Sequence, residues 1–140
     1  MQQKKLIQIL DKIFIRNKIF FYILIITISS TVINFYSGNR GVFPIDSFLI
    51  YDSGYKILNG FHPFKDYWSI TGPILDYIQF IFFKLFGVNW FSYVLHATAL
   101  NVIISLTVFF FFLKIGIKKF YSLLYAISTS ILAYPSVGTP

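Results

Sequence analysis

Residues 19–39, IFFYILIITISSTVINFYSGN, form a run of 21 residues without one charged side chain. Roughly 20 apolar residues in helical form cross the hydrocarbon core of a bilayer, so this run has the length of one membrane span. It follows a leader, 1–18, that holds Lys4, Lys5, Lys12, Arg16 and Lys18. A basic leader before an apolar run also opens secretory signal peptides. Here the run exceeds a usual signal core, and no small-x-small cleavage pattern follows within ISSTVINFYS. The reading is a retained anchor that starts in the cytoplasm and runs outward.

Composition points the same way. Apolar residues make up 56% of the 140 and charged residues 12%, with a mean hydropathy of +0.70. A soluble domain carries about twice that charge, and a globule of this size has too little interior to hide so much apolar surface. The chain reads as a membrane protein. With no cysteine, disulfides, thiolate metal sites and cysteine nucleophiles are excluded. The net charge of +7 is concentrated in short basic clusters that border apolar runs. That distribution marks topology and leaves no aromatic-basic surface for nucleic acid.

Two further uncharged runs follow. Residues 91–113, FSYVLHATALNVIISLTVFFFFL, form a second span closed by Lys114, and 120–140 form a third that enters from the cytoplasmic turn KIGIKK at 114–119. Leader and turn are then both cytoplasmic, and 40–90 lies outside with a lower density of Lys and Arg, as the positive-inside rule requires. The expected fold is all-α. It is a polytopic membrane module of about three transmembrane helices, with two juxtamembrane amphipathic helices in the first outer loop.

Those two helices come from FPIDSFLIYDSGYKILNG, 43–60, and PILDYIQFIFFKLF, 73–86. In the first, Phe48, Tyr51, Tyr55 and Leu58 recur at spacings of 3 and 4, and Gly60 ends the pattern. The second would reach only about 20 Å as a helix, too short to span. Its Asp76, Gln79 and Lys84 share one arc, which reads as a wet face above an apolar one, with Pro73 in the first turn and Gly87 as the stop. The turn-rich FHPFKDYWSITG joins the two.

Few residues offer chemistry. Asp46 stands just before the first periodic apolar residue of its segment. It is either a helix N-cap or a carboxylate at the membrane surface, and the roles are compatible. Asp52 precedes Lys56 by four, the order that favours a helical ion pair. Asp66 is either a turn former or a second carboxylate facing a cleft. His62 lacks neighbours for a metal site. His96 and Asn101 fall inside the second span, where polar side chains face protein or a cavity; a hydrogen bond between helices is the leading reading. Ser and Thr in the spans satisfy themselves on the preceding turn. No phosphate-binding loop, nucleophile elbow, zinc-protease or dinucleotide motif occurs.

The order of these elements carries a resemblance. Asp46 opens an outer helix that closes on LNG at 58–60. HPFKD at 62–66, TGPIL at 71–75 and KLFG at 84–87 follow. This resembles the N-terminal part of the GT-C class of integral-membrane glycosyltransferases, which includes the protein O-mannosyltransferases and the aminoarabinose transferases of lipid A. The likeness covers most of the chain. It implies a polyprenyl-phosphate-linked sugar donor, a lipid, glycan or protein acceptor, and inversion at the anomeric carbon. It also implies that the acid opening the first outer helix, here Asp46, is the base or helps place a divalent cation or the donor phosphate. Asp66 is the second expected catalytic carboxylate, and Asp52, His62, Lys65 and Tyr67 are the polar neighbours expected to meet substrate. The chain departs from the pattern where Ser47 replaces a second acid after Asp46 and where Gly72-Pro73-Ile74 replaces Pro-Pro-Leu, which points to a divergent, bacterial-type member. Such enzymes carry more spans, so the expectation is an N-terminal piece of a longer enzyme. The rival expectation is a small non-enzymatic multi-span protein, such as a flippase-like partner for polyprenyl-linked sugars.

Overall fold

The computed structural model describes residues 2–40, 44–70 and 72–132, with the side chains of 2–18 and 44–46 outside that description. Its helices are α1 (Gln2–Gly38), α2 (Pro44–Leu58), α3 (Pro73–Phe86), α4 (Trp90–Lys114) and α5 (Lys119–Leu132), and no strand occurs among the described residues. Two of the helices are long and apolar enough to cross a membrane, α1 over Ile19–Gly38 and α4 over its whole length. The expected leader and first span are one continuous helix of 37 residues. The second expected span matches α4 to within a residue at each end. Asn89 starts that helix, its side-chain oxygen accepting the Ser92 amide at 2.9 Å.

The third expected span is described only as far as Leu132, and 133–140 lie outside the described residues. The 14 residues of α5 reach about 21 Å and pack on both α4 and α1.

Ring contacts between Tyr22 and Phe109 and between Phe35 and Phe91, at 5.8 and 5.9 Å, set α1 antiparallel to α4. The Trp90 indole N–H donates to the Gly38 carbonyl at 2.8 Å and ties their ends together. At the other end, residues 115–118 turn the chain from α4 into α5, level with the point where α1 enters its apolar stretch. The buried face of α1 is Ile26, Ser30, Asn34 and Gly38, a stripe at i, i+4 of mostly small side chains. Small side chains let helix backbones approach closely, the usual means of helix association in lipid. Ile26, Phe109, Leu123 and Ala126 form an apolar cluster across all three helices. Thr31, Thr98, Thr107 and Thr129 each donate to the carbonyl four residues back, as expected for hydroxyls in a span.

Helices α2 and α3 form an antiparallel hairpin at the end marked by Gly38 and Trp90. Tyr51 meets Phe83 edge-on at 4.8 Å, and Gly54 sits against Gln79. A Cβ at Gly54 would lie 2.6 Å from Gln79 Cγ and 3.2 Å from the Phe80 amide nitrogen. Ile50, Tyr93 and Val94 then join the hairpin to α4.

The hairpin corrects three expectations. Asp76 is not on a wet face: Asp76 and Gln79 have no exposed surface, whereas Ile74, Ile81 and Leu85 are 74%, 49% and 68% exposed. Asp76 and Gln79 turn inward because α2 and α4 offer them partners, while Lys84, the third member of the expected polar arc, is exposed. Likewise, of the expected α2 stripe Phe48, Tyr55 and Leu58 face outward and only Tyr51 packs inward, while Ser47, Ile50, Ser53, Gly54 and Ile57 face α3 and α4. Periodicity locates such a face without giving its direction. Finally, α2 begins at Pro44, so Asp46 lies within its first turn rather than ahead of it.

Gly54→Val should separate α2 from α3, since the contact is to a methylene and to backbone. Overpacking of this kind costs about 1–3 kcal/mol. Thermal unfolding of detergent-solubilised protein, followed by circular dichroism, should therefore show a lower midpoint. A midpoint equal to or above that of the unchanged chain would mean the close approach is absent.

Candidate functional site

Polar chemistry gathers where α2, α3 and α4 meet. Gln79 projects from the second turn of α3 toward α4, and its side-chain oxygen lies 2.7 Å from His96 Nδ1. An amide oxygen only accepts, so Nδ1 is the donor in this pair. The bond joins α3 to a span-length helix, and Phe82 lies beside the imidazole with ring centroids 5.7 Å apart. His96 thus makes the interhelical bond expected from the sequence. Asn101 does the same lower down, donating to the Ser130 carbonyl of α5 at 3.0 Å.

One helical turn before Gln79, Asp76 is fully buried. A carboxylate removed from water requires hydrogen-bond partners, and one of them is Tyr67. The Tyr67 hydroxyl lies 3.4 Å from Asp76 Oδ2 and 3.3 Å from the Ser53 carbonyl, a long, shared donation that fastens the connecting loop to both helices. Burial pushes the Tyr67 phenol above its ordinary 10.0, and Asp76 adds to the effect while Ser53 opposes it. Among the described residues, four buried polar atoms have no partner: Gln79 Nε2, His96 Nε2, Ser69 Oγ and Ser30 Oγ. Two of them belong to the Gln79–His96 pair, a setting in which proteins commonly hold an ordered water.

The residues expected from sequence to form the site divide into two groups. Asp52 pairs with Lys56 at 2.7 Å on the exposed side of α2, and the same ammonium sits 5.0 Å above the Tyr67 ring. Asp52 and Tyr67 are thereby linked through Lys56. In the second group, Asp66 Oδ2 accepts the His62 amide at 2.7 Å, and His62 Nδ1 lies 3.0 Å from the Tyr77 hydroxyl on α3. This is the turn-forming role for Asp66. It holds a loop in which Phe64 adopts a φ of +64°, a conformation that is strained for a bulky residue. Lys65 is exposed and gives its amide to the His62 carbonyl at 3.3 Å. The Asp46 side chain lies outside the described residues.

Phe48, Tyr51, Asp52, Tyr55 and Val88 line an open groove of about 340 Å³ along the outward face of α2. Asp52 is its one charged member, so the groove offers aromatic walls with a carboxylate at the rim. Asp76 and Gln79 were the members of the site missed from sequence. Their shared arc was visible, but the glycine opposite them on α2 was the only hint of its direction. No three His, Asp or Glu side chains converge to hold a metal ion among the described residues. The chain matches no family model, no curated protein and no solved structure.

A phenol held neutral by burial stabilises the fold fully below about pH 10, and that stability is lost as pH rises through the folded-state value. Difference titration at 295 nm should show that Tyr67→Phe removes a tyrosine that ionises later than the free side chain. The alkaline loss of stability should also be shallower in the variant. Loss of an early-titrating tyrosine instead would contradict the buried contact.

Proposed function

We propose that this chain is the N-terminal membrane module of a polyprenyl-phosphate-sugar-dependent glycosyltransferase of the GT-C kind. It is a multi-pass protein with its N-terminus in the cytoplasm and the α2–α3 hairpin on the outer face. The observation that supports this is the placement of the hairpin. It sits at the joined ends of two span-length helices, and the basic turn at 114–119 lies at the opposite end, where the basic stretch of α1 emerges. The excess of Lys and Arg then assigns that basic end to the cytoplasm. The described part of α5 begins the third span.

In this reading Asp46, in the first turn of α2, is the general base. It takes the proton of an acceptor hydroxyl whose oxygen attacks the anomeric carbon from the face opposite the donor phosphate. The new glycosidic C–O bond forms as the bond to phosphate breaks, and polyprenyl phosphate leaves with the electron pair. Asp66 assists by holding the 62–66 loop in shape, and α3 walls the cleft. Donor polyprene lies along apolar surface such as the groove beside Asp52.

Asp46→Asn tests the chemistry. In the first turn Asn gives up only the attraction of the carboxylate to the free helix amides, about 0.3–1 kcal/mol, so expression should be unchanged and stability should stay within about 1 kcal/mol of the unchanged protein. Transfer of radiolabelled sugar from a polyprenyl-phosphate donor in vesicles should fall to background. Full transfer by the variant would reject Asp46 as the base. Absence of transfer by the natural protein, in the membrane of its own host, would favour the non-enzymatic flippase-like reading.

Topology is tested separately. The chain has no cysteine, and Ile70 is 76% exposed on the loop, so Ile70→Cys provides a single addressable thiol. A membrane-impermeant maleimide should label it from the outer side of sealed, oriented vesicles. Labelling solely from the cytoplasmic side would overturn the arrangement.

A further inference from the structure

The two faces of α3 are distributed as no helix at a water surface would have them. Asp76 and Gln79 are sealed against α2 and α4, while Ile74, Ile81 and Leu85 form one outward stripe and are about half to three-quarters exposed. In water both choices are unfavourable, since they hide a carboxylate and display branched alkyl groups. In hydrocarbon both signs reverse, because the alkyl stripe meets its own kind and the polar arc finds its partners in protein.

Depth can be read from the bond to α4. His96 lies six residues below Trp90, roughly 9 Å along the helix at 1.5 Å per residue. The 25 residues of α4 extend roughly 37 Å, against a hydrocarbon core of roughly 30 Å, so a centred α4 overshoots by roughly 4 Å at each end. His96 is then about 5 Å inside the acyl region, and Gln79 is hydrogen-bonded to it. The charged residue on the outward side, Lys84, is in the last turn, with its ammonium 5.9 Å from the Phe80 ring. A long side chain at a helix end extends its charge to the headgroups. At the same end of the bundle the apolar side chains of Tyr36 and Phe91 are exposed as well.

We infer that α3 is immersed in the acyl layer of the outer leaflet, with Ile74, Ile81 and Leu85 against lipid chains and its polar side sheltered by α2 and α4. It does not ride on the membrane with that side in water. The partner of this surface is therefore lipid hydrocarbon, and α3 is the wall that separates the Asp76–Gln79–His96 cluster from it. The inference rests on α1 and α4 being membrane spans, and it is independent of any catalytic activity.

The cysteine-free chain permits a direct test. Nitroxide labels on Ile74→Cys, Ile81→Cys and Leu85→Cys, each in phosphatidylcholine/phosphatidylglycerol vesicles, report collision rates with oxygen, which concentrates among acyl chains, and with a neutral nickel chelate, which stays in water. Ile28→Cys on the exposed side of α1 gives the lipid reference, and Lys65→Cys on the loop gives the water reference. An oxygen-to-nickel ratio at all three α3 positions that follows Ile28, and exceeds Lys65 severalfold, supports immersion. Ratios that follow Lys65 while Ile28 remains oxygen-rich overturn it and leave the spans intact. Low rates with both reagents mean that protein covers the stripe, and they overturn it too. Nickel access at Ile28 itself removes the membrane reading and this inference together.

Discussion

The hydrogen bond from His96 to Gln79 is the constraint on which the upper half of the molecule depends. It fixes one face of α3 against α4, and it decides which way the remaining side chains of α3 point. Once Gln79 is turned toward α4, Asp76 must follow one turn earlier on the same arc, and Ile74, Ile81 and Leu85 are carried to the other side. Helix α2 takes its place from α3 in turn, because Gly54 alone allows its backbone to reach Gln79 and Phe80. The loop depends on both helices through Tyr67 and through the contact of His62 with Tyr77. Leaving either buried partner of such a bond unmade costs about 1–3 kcal/mol, more than a made bond contributes. The pair therefore acts chiefly as a penalty against every other orientation of α3.

The three-helix bundle is held differently. In the membrane reading, association gains little from burying apolar groups, since the surroundings are equally apolar. Close packing of small side chains takes over. Ser30 and Gly38 on α1, Ala97 and Ser105 on α4, and Ser122, Ala126 and Ser130 on α5 are all buried. Asn101 adds a bond across the α4–α5 seam. Toward the basic end this gives way to the apolar cluster of Ile26, Phe109, Leu123 and Ala126. The buried polar groups thus lie mainly on the hairpin side, and the bundle is driest on the other.

How much of this was legible in the sequence differs from feature to feature. The 19–39 and 91–113 runs could be read directly, because an apolar stretch of that length without a charge is rarely anything but a long buried or lipid-facing helix. Helix ends were readable too, with Gly60 and Gly87 at φ of +88° and +82°, where other residues are strained. The interhelical roles of His96 and Asn101 followed from the cost of polar groups at depth. What the pattern did not carry was sign. Asp76, Gln79 and Lys84 lie on one arc, and an arc reads the same whether water or protein occupies it. Only the pairing of Gly54 with Gln79, across 25 residues of chain, decides between them, and local periodicity is blind to such a pair. Asp66 was ambiguous for a related reason, since a turn former and an exposed carboxylate share one local pattern.

This separation of polar environments bears on which carboxylate can do chemistry. Asp76 is enclosed, so a substrate could reach it only if α3 moved away from α4. Asp52 is occupied by Lys56, and Asp66 by the His62 amide that shapes its loop. Each of these three acids has a structural role with a named partner. Asp46 differs in position, at the first turn of a helix, where backbone amides favour a nearby anion. It also opens the hairpin on the side where the chain leaves α1. A base must be reachable by its substrate as well as present. Under the proposed reading, the sealed cluster around Asp76 is the scaffold that keeps in place α2 and the first turn that carries Asp46.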